Sequence, residues 1–474
     1  MITAPSMSRT RHQPGPPAAA ALAGWCARAK SAIVILLAST AMLAAAPTLA
    51  NEAALRAEVT MLKAQLAAQA ARLERLEAKS DGLAQAQDRT AKAVAALPIA
   101  APTAAAAAPV ELARAESGTT IGGYGELNFN GYLKNSSRNL ADVRRIVLSV
   151  GHKFNDKFSL VTELEVEHAI ASAGDRGEVA IEQAYLNYRF NAAANVRAGL
   201  FLLPFGFINR NHEPPQFYGV ARNAVETLII PSTLREGGFS LYGDLGSGLA
   251  YDIGITTGYD VSKFDGAGEP LASIHQELTL ARAASLSAYA SLEYKGIPGL
   301  TIGGAVSSGN SVHSNAAFRN DGATPDLDGI KARVTLFDVH ARYQIAGFDV
   351  KALYARGSIA QADLLTKAFA AANAIDGGTR PVVPSAFYGY LIEGAYTFDL
   401  GGDVALSPFA RYERYNTQAK LPLGATSDPE NRDKILTAGI SFRPHPQIVL
   451  KTDYQKFFEN SANDRINLGV GYMF

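Results

Sequence analysis

The densest run of groups able to bind or orient a solute lies between Phe205 and Gly238, a single connection that carries Arg210, His212, Glu213, Arg222, Glu226, Arg235 and Glu236. A guanidinium is planar and always charged, and its fork can donate two parallel hydrogen bonds to a carboxylate or a phosphate. If the segment 206–237 folds into a water-filled space, Arg210, Arg222 and Arg235, with Glu226 and Glu236 beside them, would face the wall residues Arg189, Arg197, Arg411 and Lys451. The acids Glu163, Glu165, Glu167, Glu393 and Glu413 would occupy another side. Opposed charges across a wet constriction set up a transverse field that selects small polar or ionic solutes. For each arginine the alternative is a salt bridge that merely anchors the segment. A connection of this length in a compact protein is either functional or disordered, and Phe217, Tyr218, Leu228, Ile229 and Ile230 favour packing on a wall.

Other chemistry is poorly supplied. The chain has neither Gly-x-Ser-x-Gly nor a phosphate-cradling Gly-x4-Gly-Lys-Ser/Thr, and His212-Glu213 runs into two prolines that break the helix a His-Glu-x-x-His site requires. A single cysteine, Cys26, excludes a disulfide framework and a multi-cysteine zinc cluster. The eight histidines are scattered, so no metal site and no cofactor are expected. With 44 Lys+Arg against 44 Asp+Glu there is no basic field of the kind a nucleic-acid binder uses. Two alternatives remain: a lipid hydrolase embedded in a barrel, whose Ser and His need not be adjacent, and an envelope tether or adhesin.

The elements that must position these charges are strands. From 119 to 474 the chain alternates in polarity over stretches of about ten residues, with gaps that alternate between tight and long. In Phe158 to Ile170, Leu160, Leu164, Val166 and Ile170 alternate with Ser159, Glu163, Glu165 and Glu167. Gln447 to Phe458 sets Ile448, Leu450 and Tyr454 against Lys451, Asp453 and Gln455. Charges on one strand face need water, while the other face suits lipid. Tight turns and longer polar connections together divide the region into sixteen strands, with both ends on the short-turn side, the side expected to face the periplasm. A soluble β-sandwich would need the alternating gap lengths to be coincidence. The expected fold is therefore an all-β transmembrane barrel of about 16 antiparallel strands preceded by an α-helical coiled coil. Sixteen strands enclose more space than side chains can fill.

The ends suggest an address. Arg28 and Lys30 precede an apolar run from Ala32 to Ala46, and small residues follow, so 1–50 reads as a signal peptide. Its removal takes away Arg9, Arg11, Arg28 and Lys30, leaving 40 basic against 44 acidic residues. Over 51–90, Leu55, Val59, Leu62, Leu66, Leu73, Leu76 and Leu83 mark the seam of a coiled coil that pairs with copies of itself, three chains being preferred. The Ala-rich stretch 91–118, punctuated by Pro98, Pro102 and Pro109, reads as a linker. The last strand ends on Phe474, with Ile466, Leu468, Val470 and Tyr472 on the same face, like an assembly signal of outer-membrane barrels.

Leu200-Phe201-Leu202-Leu203-Pro204-Phe205-Gly206 after a strand, the helical leader and the closing aromatic strand resemble the phosphate-selective porin O and P family, or the related DcaP-like trimeric porins with an N-terminal coiled coil. The resemblance implies a homotrimer of sixteen-stranded passive channels with anion preference. Gly206 to Gly237 holds arginines and no lysine, which departs from the lysine-rich loop expected of strict phosphate selectivity and leaves organic carboxylates open. The partners expected are further copies of the chain, outer-membrane lipid and lipopolysaccharide, the barrel-assembly machinery and small anionic solutes, with no nucleic acid.

Overall fold

A computed structural model of the chain describes residues 118–172, 174–313 and 325–474, together with Lys63 and Ala67, both helical. The expected signal peptide, the coiled-coil seam from Leu55 to Leu83 and the Ala-rich stretch before residue 118 lie outside the described residues. The rest is one antiparallel sheet whose strands follow one another in chain order. They are β1 (Gly118–Tyr132), β2 (Leu140–Lys153), β3 (Phe158–Glu167), β4 (Glu178–Arg189), β5 (Asn195–Leu202) and β6 (Arg235–Asp244). Next come β7 (Leu249–Thr256), β8 (Ser287–Ile297), β9 (Leu300–Gly309), β10 (Val334–Ile345), β11 (Phe348–Ile359) and β12 (Ala386–Tyr396, carried on past Thr397 by Phe398–Asp399). The last four are β13 (Ala405–Lys420), β14 (Arg432–His445), β15 (Ile448–Phe457) and β16 (Arg465–Met473).

The sheet closes because β1 pairs with β16, from Tyr124 opposite Met473 to Tyr132 opposite Arg465. Phe474 completes the seam: its N–H donates to the Gly123 carbonyl at 2.9 Å and its carbonyl accepts from the Gly123 N–H at 3.0 Å. This is the closed 16-strand barrel that the polarity pattern predicts. Closure leaves no unpaired edge, which a sheet in hydrocarbon cannot tolerate.

The outward face is apolar all the way round, with Ile121, Leu164, Phe239, Leu292, Val339, Ile392, Ile440 and Leu468 all exposed. At the short-turn rim this band ends in aromatic rings. Phe158, Tyr188 and Phe190 stack edge to face at 4.6 Å, and Phe348, Tyr396 and Phe398 repeat the arrangement at 4.7 Å. Such girdles mark the level of lipid headgroups.

The interior departs from a wholly wet lumen. Inward positions of β10, β11 and β12 near the long-loop rim are apolar, namely Leu336, Leu353, Ala355, Ile359, Phe387 and Leu391. Against them packs α1 (Ala362–Asp376), an amphipathic helix in the β11–β12 connection whose buried face is Ala362, Leu365, Phe369 and Ala372. Tyr259, Val261, Phe264, Leu271 and Ile274 of the β7–β8 connection complete the plug. A barrel this wide cannot be filled from its wall, so long connections fold in to do it. Towards the short-turn rim the same three strands turn charged, with Asp338, His340, Arg342, Asp349, Lys351 and Glu393.

Ile392 lies mid-strand, opposite Ala352 and Tyr412, and is 57% exposed on the outer face. Replacing it by Arg is expected to cost about 2–4 kcal/mol if that face meets lipid. Reversible denaturant unfolding in lipid vesicles measures this, and a change within 0.5 kcal/mol, roughly that of an ordinary surface site, would contradict a lipid contact there.

Candidate functional site

The inward loop runs from Leu203 to Leu234, three residues earlier than the expected 206–237, because Arg235 and Glu236 already belong to the ladder opposite Leu202 and Phe201. Its base is clasped by Asn209, whose amide donates to the carbonyls of Leu203 and Leu234 at 2.7 and 2.9 Å and whose oxygen accepts from the Leu234 N–H at 2.7 Å. Glu226 ties the outgoing limb to the incoming one: one carboxylate oxygen accepts the N–H groups of Phe207 and Ile208 at 2.6 and 2.8 Å. The other oxygen accepts from Asn223 at 2.6 Å. Gly206 sits at φ +60 directly over that carboxylate, so any side chain there would collide with Glu226. That contact is the local reason for the glycine of the Pro204-Phe205-Gly206 element.

One arc of the wall holds the loop. Lys451 on β15 donates to the Gly219 carbonyl at 2.9 Å and lies 3.6 Å from the centre of the Phe217 ring. Asp453 and Glu413 each accept a loop N–H at 2.6 Å, from Val220 and Ala224. Arg443 donates to the Pro215 carbonyl at 3.0 Å, and the Tyr218 hydroxyl donates to Asp349 at 2.8 Å. Behind these contacts Arg411 bridges Glu413 at 2.7 Å and Glu393 at 3.2 Å, and Lys351 adds a second cation to Glu393 at 3.1 Å. Arg411, Lys451, Glu393 and Glu413 are thus buried anchors of the loop and do not face it across water. Glu226 is likewise an internal brace. Burial explains both, since a charge taken out of water must find close partners.

On the opposite arc Arg145 of β2 gathers Glu165 at 2.8 Å, Glu167 at 3.2 Å and Glu126 at 3.8 Å. Arg197 is paired with Asp252, and its guanidinium lies 4.5 Å from the centre of the Phe201 ring. Glu163 accepts from Ser149 at 2.9 Å and from Gln183. Arg235 pairs with Glu277 at 2.9 Å, and Glu236 accepts from Thr257 at 2.9 Å and from the Gln276 N–H at 3.1 Å. These two secure the β7–β8 connection.

Space remains on both sides of the loop. On the long-loop side a cavity of about 520 Å³ is lined by Arg144, Arg145, Arg222 and Arg465 and by Glu126, Asp142, Glu269 and Glu413, a balanced set. The Nε and Nη2 atoms of Arg222 have no hydrogen-bond partner. On the short-turn side a cavity of about 240 Å³ between loop and wall is lined by Arg210, Lys295, Arg342 and Lys351 and by one carboxylate, Glu293. A wider space of about 1150 Å³ at the rim follows, with Lys153, Lys157 and Arg189 against Asp156. Of the expected constriction residues, Arg210, Arg222 and Arg189 therefore line open space, at different heights, while Arg235 is buried against Glu277. Arg342 and Lys351 were missed although strand alternation turns them inward, and Asp453, read as facing inward, gains its role from the loop N–H it accepts. Asn209 carried no signal, because its role comes from three backbone groups that only the folded loop brings together.

Residues 118–227 match the family described as phosphate-selective porin O and P. A protein of Aquifex aeolicus strain VF5, described only as uncharacterized, is 31% identical over 367 residues, covering 76% of this chain and 80% of that one. Among solved structures, Salmonella typhi OmpF in complex with daunomycin is 15% identical with a TM-score of 0.50, covering 75% of this chain and 97% of that chain. The outer membrane channel DcaP of Acinetobacter baumannii is 14% identical with a TM-score of 0.46, covering 76% and 98%.

Replacing Glu226 by Ala strands the buried N–H groups of Phe207 and Ile208, at a cost of about 2–5 kcal/mol. The loop is then expected to loosen from its brace, which limited proteolysis within 203–234 would detect; a cleavage pattern identical to wild type would remove Glu226 from that role.

Proposed function

This chain belongs to the phosphate-selective porin O and P family and is an outer-membrane porin, and we propose that it passes small anions, inorganic phosphate or organic carboxylates, by passive diffusion. The observation that carries the anion preference is the cavity beneath the loop, where Arg210, Lys295, Arg342 and Lys351 meet one carboxylate. Arg342, 32% exposed, reaches that space while its partner Asp349 is buried in the wall, and Arg210 is 42% exposed; Lys351 itself is buried against Glu393. A solute entering from the long-loop side leaves a balanced vestibule with Arg222 at its edge and meets the field of Arg210, Lys295 and Arg342 beyond the loop, before an adjoining space that also carries Asp244 and Asp252. Low-dielectric walls around a narrow wet passage concentrate such a field and raise the local anion concentration. No energy coupling or cofactor enters this reading; solutes follow their own gradients.

The same proposal sets the short-turn rim in the periplasm and makes the assembly a homotrimer held partly by the heptad seam of 51–90. Phe474 would be read by the barrel-assembly machinery, with membrane lipid and lipopolysaccharide around the outer band. Loop arginines without lysine suit a planar carboxylate at least as well as phosphate, because the guanidinium fork matches either.

The double replacement of Arg210 and Lys295 by Ala is expected to lower the anion-over-cation permeability ratio several-fold, each charge contributing on the order of 1 kcal/mol at contact distance in water. Reversal potentials in gradients of chloride, phosphate and acetate salts measure it. A reversal potential unmoved by the double variant would take selectivity away from this cavity.

A further inference from the structure

Glu182 is an anomaly of the wall. The β3–β4 ladder pairs Glu163 with Gln183 and then Leu164 with Ile181, so Glu182 is the extra residue of a β-bulge. Bulges re-aim a side chain, and this one sends a carboxylate into the interior. It is fully buried, and neither oxygen has a hydrogen-bond donor. A buried, unpartnered carboxylate is among the costliest groups a fold can hold.

What it faces sharpens the problem. His212 of the inward loop, itself 3% exposed, brings Nε2 to 3.2 Å from a Glu182 oxygen. The other ring nitrogen, Nδ1, lies 3.1 Å from the Asn209 carbonyl, which can only accept, so Nδ1 carries the proton of the neutral ring. Nε2 then presents a lone pair to a carboxylate, acceptor against acceptor. Glu163 completes the group: one ligand atom from each of the three residues lies within 4.8 Å of the others. Its carboxylate is held from behind by Ser149 and Gln183, and it is only half-buried, which leaves a path from the lumen. The Tyr124 ring closes the other side, edge-on to His212 at 5.6 Å. Arg145 is occupied by Glu126, Glu165 and Glu167.

A cation between the three residues removes every one of these conflicts. We propose that Glu163, Glu182 and His212 bind a divalent transition-metal ion, with zinc the best fit, and that the ion pins the inward loop to β3 and β4. One imidazole and two carboxylates are a zinc-type donor set that leaves a position for water, whereas calcium would demand six or more oxygens. Two carboxylates balance the charge of a divalent ion, and the Arg222 guanidinium lies near enough to act on both Glu182 and His212. The Nδ1 bond to the Asn209 carbonyl and the bonds from Ser149 and Gln183 are the outer contacts that usually orient metal ligands. The anchors on β13, β14 and β15 hold the loop from one arc; this site would hold it from the other, where the contacts are otherwise sparse.

The test uses the full-length protein extracted from membranes without chelator, with elemental analysis for bound metal. After treatment with EDTA, zinc is titrated by calorimetry and cobalt by its visible absorption, which reports an imidazole and carboxylate environment. Wild type is expected to hold one zinc per chain, His212→Gln and Glu182→Gln to lose it, and Gln183→Ala to weaken binding about 10–100-fold. Retained heat-modifiability on gels shows that each variant is still a folded barrel. A folded wild-type channel that neither carries metal nor takes up zinc or cobalt would overturn the proposal, leaving a proton shared between His212 and Glu182; so would unchanged zinc affinity in folded His212→Gln. Metal content is read separately from conductance, so either result stands apart from the assignment as a porin.

Discussion

Every backbone N–H and carbonyl that lies in hydrocarbon must find its partner within the protein, and this requirement shapes the rest of the structure. It forces the first strand onto the last, with the terminal Phe474 backbone completing the pairing against Gly123. Closure fixes the two-residue alternation, because a strand slipped by one position would turn its charges to lipid. The aromatic clusters at the short-turn rim follow from the same boundary, where rings that are apolar and weakly polar are most at home.

Closure at sixteen strands creates an interior that the wall cannot fill, and the chain deals with it in two ways. Near the long-loop rim it inserts apolar matter, chiefly α1 and the β7–β8 connection, against apolar inward residues of β10 to β12. Lower down it uses charge. The ion-pair network around Arg411 and Glu393 costs desolvation, which close pairing with Glu393 and Glu413 offsets while fixing one geometry. Here that geometry is the course of the loop from Leu203 to Leu234. Charges in this lumen thus divide into those that hold the loop and those left to face solute, and only the second kind sets a field in the passage.

That division explains what could be read from the amino-acid sequence. Strand count, facing and tight turns were legible because they repeat, and a two-residue period is hard to mistake over sixteen strands. The inward loop was legible from its length and its arginines. Which charges faced water was not: Lys451 and Arg411 alternate inward like any lumen residue, and only the folded loop shows them spent on Gly219, Glu393 and Glu413. Asn209 and the bulge at Glu182 were invisible for the same reason, since each gains its meaning from backbone atoms distant in the chain. Lys295 and Arg342 carried no signal of their own among the charges of their strands, yet both line the space under the loop.

The central claim is that a water-filled path crosses this barrel past the inward loop. The most direct measurement is current through a planar bilayer after adding the purified, folded protein. The account predicts discrete steps, grouped in threes if the channel is a trimer, whose size grows with salt concentration and whose reversal potential in a salt gradient has the sign for anions. Folded barrels that insert into the membrane and carry no stepwise current would contradict it.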